Sequence, residues 1–113
     1  MIAISIPIKL VSVANLRMHW AVKAKLAKSH RTRTRAALSN EAPIPPATPL
    51  TVVLTRIAPR RLDTDNCVSA FKNCRDGVAD WLGVDDGNQG IQWVYEQRAG
   101  GPKVYAIEVE VIK

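Results

Sequence analysis

The stretch RRLDTDNCVSAFKNCRDGVADWLG, residues 60 to 83, decides the architecture of this chain. Cys67, Phe71, Cys74, Val78 and Trp81 recur at spacings of 4, 3, 4 and 3, the signature of one buried helix face. Asp65 or Asn66 can cap the start of that helix, and Gly83 can end it. Asp63 and Asp65 stand directly after Arg60 and Arg61, which raises a second question. Acids at a helix start are ordinary, because they sit in the favourable field of the first turn. Two carboxylates beside a cationic surface can also be where a metal ion meets a phosphate.

Outward from the helix, LTVVLTRIAP (50–59) reads as the strand before it, ended by Pro59. IQWVYEQR (91–98) and KVYAIEVEVIK (103–113) read as two strands after it, joined by AGGP. In the last, Tyr105, Ile107, Val109 and Val111 face in, whereas Glu108 and Glu110 face out. At the other end, Ile2, Ile4, Ile6, Ile8 and Leu10 alternate with Ala3, Ser5, Pro7 and Lys9. The period of two predicts a half-buried strand, and Pro7 places it at a sheet edge. From about Asn15 a basic helix is expected, with Met18, Val22 and Leu26 on its apolar face. The RTRTR segment (31–35) has weak helix propensity and is expected to fray. EAPIPPATP (41–49) holds four prolines in nine residues and is an extended connection. The expected fold is α+β, with a mixed or antiparallel four-stranded sheet and two main helices in the order β-α-β-α-β-β. At 113 residues, the whole of 1–113 reads as a single domain.

Charge divides the chain. Residues 1–62 carry eleven Lys or Arg against one acid, Glu41, and residues 63–113 carry five bases against nine acids. The net charge of +6 therefore hides a half at +10 and a half at −4. A basic half suits a polyanion, of which nucleic acid is the commonest in the cytoplasm, or simply a solvated basic surface. No apolar run approaches the roughly 20 residues of a membrane span. MIAISIPIKL lacks the basic lead and cleavage site of a signal peptide, so a cytoplasmic protein is expected. Cys67 and Cys74 are two helical turns apart, roughly 10.5 Å, too far for a disulfide on one straight helix. Buried reduced thiols are expected, and with only His19 and His30 as further soft ligands zinc is not.

Three acidic places remain: Asp63, Asp65 and the pair Asp85–Asp86. If locally extended, Asp63 and Asp65 point to one side and both face one ion, whereas in the plainer reading one caps the helix. VDDGN (84–88) is good turn chemistry in its own right. An EF-hand is excluded, since no third acid follows at spacing two and no Gly stands at position six. Asp65, Ser69, Lys72 and Asp76 share a helical stripe, so Lys72 extends over small Ser69 toward the acids or pairs with Asp76.

These residues resemble the RusA family of Holliday-junction resolvases, in its phage and prophage branch. The likeness rests on LDTDN (62–66), AFK (70–72), RDGVADWLGVDDGN (75–88) and WVYEQ (93–97), with SVAN (12–15) a looser match that aligns Asn15. It is strong from Leu62 to Gln97 and loose before Thr51. The resemblance implies Mg²⁺-dependent (or Mn²⁺-dependent) hydrolysis of phosphodiesters in branched DNA, a four-way junction above all, by a homodimer. It implies that Asp63, Asp65 and Asp86 are the metal ligands and essential acids. The family lysine falls on Lys72, while Ser69 holds the position four after the second acid. Asn15, Arg17, Lys23, Lys25, Arg56, Arg60 and Arg61 are then expected to hold the DNA backbone. The alternative is a non-catalytic basic DNA-binding protein that keeps the fold.

Overall fold

A computed structural model describes residues 2–10, 20–42, 44, 49–85, 87 and 90–113. Its elements are β1 (Ile2–Ile6), α1 (Trp20–Leu38), β2 (Leu50–Ala58), α2 (Thr64–Ala70), α3 (Lys72–Leu82), β3 (Ile91–Ala99) and β4 (Ala106–Ile112). The strands form one mixed sheet in the order β1-β4-β2-β3. β2 and β3 are parallel, while β4 runs antiparallel to both β1 and β2. The fold is therefore α+β with the expected element order.

The pleat sorts side chains onto two faces. Register aligns three rows on the helix-bearing face: Ile2–Val111–Val52–Trp93, Ile4–Val109–Leu54–Tyr95, and Ile6–Ile107–Arg56–Gln97. The first two rows are wholly apolar or aromatic, and Val52, Leu54, Ile107, Val109 and Val111 are buried. Each such side chain contributes roughly 1.5–3 kcal/mol by leaving water. The third row ends in two polar residues, and these build the site.

β1 stops at Ile6, four residues before the expected end. Pro7 has no N–H for the ladder, and the Ile8 N–H turns back to the Ile6 carbonyl at 2.8 Å. Ile8 and Leu10 stay buried even so, as core anchors outside the sheet. β1 is an edge strand, as Pro7 requires.

α1 departs from expectation. Residues 15–19, with Met18, lie outside the described residues, and Val22 is half-exposed. The buried stripe is instead His30, Thr34 and Leu38, so the RTRTR segment belongs to the most firmly packed part of the helix. Gly77 explains this. A Cβ added there would stand 2.5 Å from the Arg31 carbonyl oxygen and 2.9 Å from Thr34 Cβ, so the backbones of α1 and α3 meet at that point. Tertiary contact overrides the weak propensity of threonine. The Thr34 hydroxyl, deprived of water, donates to the His30 carbonyl at 2.8 Å.

The single helix expected after Asp65 is two, with Phe71 between them. The Phe71 N–H is shared between Cys67 O and Val68 O, while its carbonyl accepts from the Arg75 N–H. The side chain of Phe71 is fully buried, 6.0 Å from the Tyr95 ring. Gly83 ends α3 at φ 71°, a left-handed conformation that glycine adopts without strain. Cys67 and Cys74 are free and buried, and burial pushes the Cys74 thiol up to about 11. β3 and β4 form no hairpin despite AGGP: the chain crosses the end of β2, where the Gly100 N–H meets the Ala58 carbonyl at 3.0 Å.

Candidate functional site

The polar end of the third core row shapes the loop between β2 and α2. Arg56 points inward from β2 and is 5% exposed. Its Nε donates to the Leu10 carbonyl at 2.8 Å and its Nη1 to the Arg60 carbonyl at 2.7 Å. Burial pulls its pKa below the usual arginine value. Beside it in register, Gln97 accepts from the Leu62 N–H at 2.9 Å and donates to the Leu62 carbonyl at 2.8 Å. The loop is thus fixed at residue 60 and again at 62. Arg60 and Arg61 are exposed, and among the described residues neither guanidinium has a hydrogen bond or a carboxylate partner.

Asp63 follows at once. Its backbone is extended (φ −57°, ψ 151°), and its carbonyl receives the Cys67 N–H at 2.9 Å, so Asp63 is the N-cap of α2. The cap is neither Asp65 nor Asn66 as expected. The Asp63 side chain makes no capping bond, which leaves its carboxylate exposed to solvent. Asp65 lies in the first turn, also exposed. The two acids are therefore not an extended pair: one precedes the helix and the other belongs to it.

Among the described residues, four arginines and no acid line one cavity of about 140 Å³ where β2 and β3 end. Its walls are Arg56, Ala58, Pro59, Arg60, Arg61, Gln97, Arg98 and Ala99. Arg56 was expected on a DNA-binding surface, and this is corrected: it is an inward strand position whose hydrogen bonds go to backbone carbonyls. Arg98 is exposed on the opposite sheet face and pairs in a fork with Glu108, its Nη1 at 3.3 Å from Oε2. That pairing raises the Arg98 pKa.

Lys72 opens α3, largely exposed, with Nζ 3.7 Å from the Asp76 carboxylate one turn on. It is directed along its own helix toward Asp76, not back over Ser69 toward Asp65. Asp85 belongs to another neighbourhood, a groove lined by Arg31, Asp76, Ala79, Asp80 and Val84. Arg31 forks onto Asp80 there, with Nε–Oδ2 2.6 Å and Nη2–Oδ1 2.7 Å, and this hydrogen bonding lowers the Asp80 pKa.

α2 and α3 run back along β3. Leu62 sits by Gln97, Phe71 by Tyr95, and the Arg75 guanidinium stacks 4.5 Å over the Trp93 ring while donating to the Tyr95 hydroxyl. Asp63 and Asp65 therefore lie beside the exit of β3. Asp76 comes eleven residues after Asp65, on α3 instead of α2, and Asp80 and Asp85 follow further along the chain. Among the described residues, no three His, Cys, Asp or Glu side chains stand close enough to share one ion. Asp86, Asn15 and Arg17 lie outside the described residues. Lys23 is half-buried and Lys25 exposed, both on α1.

The sequence reading missed Gln97 and Arg98. The signal for Gln97 was present: an amide at the inward position of an otherwise apolar strand needs a partner. Nothing in the sequence marked Arg98, because the cavity depends on β2 and β3 being parallel neighbours.

No family model matches the chain. Over 78 residues, 64% of this chain, it is 35% identical to an uncharacterized protein of Xylella fastidiosa (strain Temecula1 / ATCC 700964). The chain spans about half, 51%, of the length of that relative. No described helix is long and apolar enough to cross a membrane.

Proposed function

We propose that this chain is a metal-dependent endodeoxyribonuclease of the RusA kind, acting on four-way or otherwise branched DNA. One observation carries the reading. A loop pinned by Arg56 and Gln97 delivers two unpaired arginines and two unpaired carboxylates within residues 60–65, at the mouth of a cationic cavity. Fixed loops that set opposite charges side by side suit a substrate that is itself an anion held through a cation.

The hard carboxylate oxygens of Asp63 and Asp65 fit Mg²⁺ or Mn²⁺, and Asp86 is the third ligand in this reading. When bound, the ion lowers the pKa of a water and offsets the charge of the scissile phosphate. The chain's own work is positioning. Arg60 and Arg61 hold backbone phosphates so that one ester lies against the acids. Lys72 can turn to developing negative charge, because an exposed lysine–aspartate pair holds it by well under about 1 kcal/mol. The protein then acts as a homodimer, whose two-fold symmetry sets two such sites for matching strands of a junction.

The test is Mg²⁺-supplied cleavage of four-way DNA. Wild type should nick, while Asp63→Asn, Asp65→Asn and Asp86→Asn should bind without nicking. Salt-dependent binding with no cleavage by the wild type would instead establish the non-catalytic DNA-binding protein.

A further inference from the structure

The cavity at the ends of β2 and β3 has a chemistry that the acidic pair does not use. Its volume of about 140 Å³ leaves room for one tetrahedral oxyanion. Among the described residues its charged walls are all arginines, whose planar forks match phosphate oxygens two at a time. Arg56 is the telling member. Burying a guanidinium is costly unless its donors are satisfied, and here it spends two of them on fixing backbone. One of those carbonyls belongs to Arg60, so the buried charge sets the position of an exposed one. Gln97 does the same for Leu62, which leaves Arg61 between two fixed points. Arg98 lines the cavity from the other strand, but its guanidinium forks onto Glu108 on the opposite sheet face.

We propose that this cavity is a site for one phosphate group, held by Arg60 and Arg61, with Arg56 and Gln97 as positioning residues. Assigning that phosphate to a DNA backbone rests on the nuclease reading above, whereas the anion site does not.

The experiment titrates inorganic phosphate into the full chain at low ionic strength with EDTA present, using calorimetry and chloride as the reference anion. Wild type should bind saturably and in preference to chloride. Arg60→Ala and Arg61→Ala should each weaken binding about tenfold or more, the loss expected when a charge-assisted hydrogen bond goes. Lys113→Ala, remote from the cavity, should change nothing. Equal weakening by Lys113→Ala, or no preference over chloride, overturns the site. Melting curves for each variant report folding separately, and Arg61→Lys should keep part of the affinity if Arg61→Ala is unstable. With duplex DNA in EDTA, Arg61→Ala should reduce the slope of log K against log salt by about 0.9, one phosphate contact. A preference for a 5′-phosphorylated oligonucleotide over its unphosphorylated twin overturns the backbone assignment. These measurements need no divalent metal, so phosphate binding here beside no nicking in the Mg²⁺-supplied assay would sink the nuclease and leave the anion site standing.

Discussion

Where β3 ends, Arg56, Arg60, Arg61 and Arg98 surround one cavity; at the far end of α3, Asp76, Asp80 and Asp85 line another with Arg31. The two ends handle charge differently. At the acidic end Arg31 on α1 forks onto Asp80 on α3, so the charge is largely answered within the chain and clamps two helices together. At the cationic end, Arg56 spends its donors on backbone carbonyls, and Arg60 and Arg61 have no described partner. Neutralised charge holds a structure together, while charge left unanswered on a fixed loop is available to a ligand. The contrast makes the loop before Asp63 and Asp65 the end with charge to offer a ligand, and gives Asp80 a structural task.

The strongest way to break this contrast is to remove one carboxylate at each end. Asp63→Asn should reduce junction cleavage at least ~100-fold, since even groups that merely support a metal ligand cost 10- to 100-fold. Asp80→Asn should leave the cleavage rate of the folded protein unchanged. Equal losses from both variants would erase the distinction.

The two ends are joined through Phe71, and the next largest effect belongs there. Phe71 is fully buried between α2 and α3 and leans on Tyr95. Phe71→Ala should cost about 3–5 kcal/mol in urea unfolding, as large aromatic truncations in a core do. A loss under about 1 kcal/mol would mean that the two helices are not fixed to each other through this ring.

Arg56→Met sharpens the comparison at the cationic end alone. It keeps an apolar stem but leaves the Leu10 and Arg60 carbonyls without their donor. The expected cost is about 1–3 kcal/mol of stability. Because the loop is freed at residue 60, phosphate or DNA affinity should also fall, although Arg56 faces inward. Lost stability with unchanged affinity would show that Arg60 and Arg61 need no support.

How far these features could be read in advance follows from which were local. The four strands, the buried thiols and the Gly83 stop were legible, because each rests on spacing or on one residue's backbone preference. The α1 stripe was not, because Val22 and Leu26 have the right period but Gly77, on another helix, decides where α1 is pressed down. The break at Phe71 was hidden for a related reason: the 4, 3, 4, 3 pattern passes through it undisturbed. In the site, Asp63, Asp65, Arg60 and Arg61 could be named from their adjacency. The roles of Arg56 and Gln97 depend on both lying inward in the same sheet row. That in turn depends on parallel pairing of β2 with β3, which no local signal specifies.

The smallest effects are pH-dependent, and they separate the acidic end from the α1–α3 crossing beside it. The fork from Arg31 lowers the folded pKa of Asp80 below its ordinary value of 3.8. Its stabilisation is therefore present above that value and lost as pH falls through the folded one. Being largely solvated, the pair is worth about 0.2–1 kcal/mol. His30 is buried at the crossing, and burial, with Arg33 nearby, lowers its pKa from 6.5. A histidine kept neutral by the fold stabilises fully above 6.5 and loses that contribution as pH falls toward the folded value. Stability should thus decline in two stages on acidification, the first starting near 6.5 and the second below 3.8. Asp80→Asn should remove only the second stage and His30→Gln only the first, in melting temperatures recorded from pH 8 to 3. If Asp80→Asn flattened the stage near 6.5 as well, the clamp and the crossing would be one coupled unit, and the acidic end could not be treated apart from the helix packing beneath it.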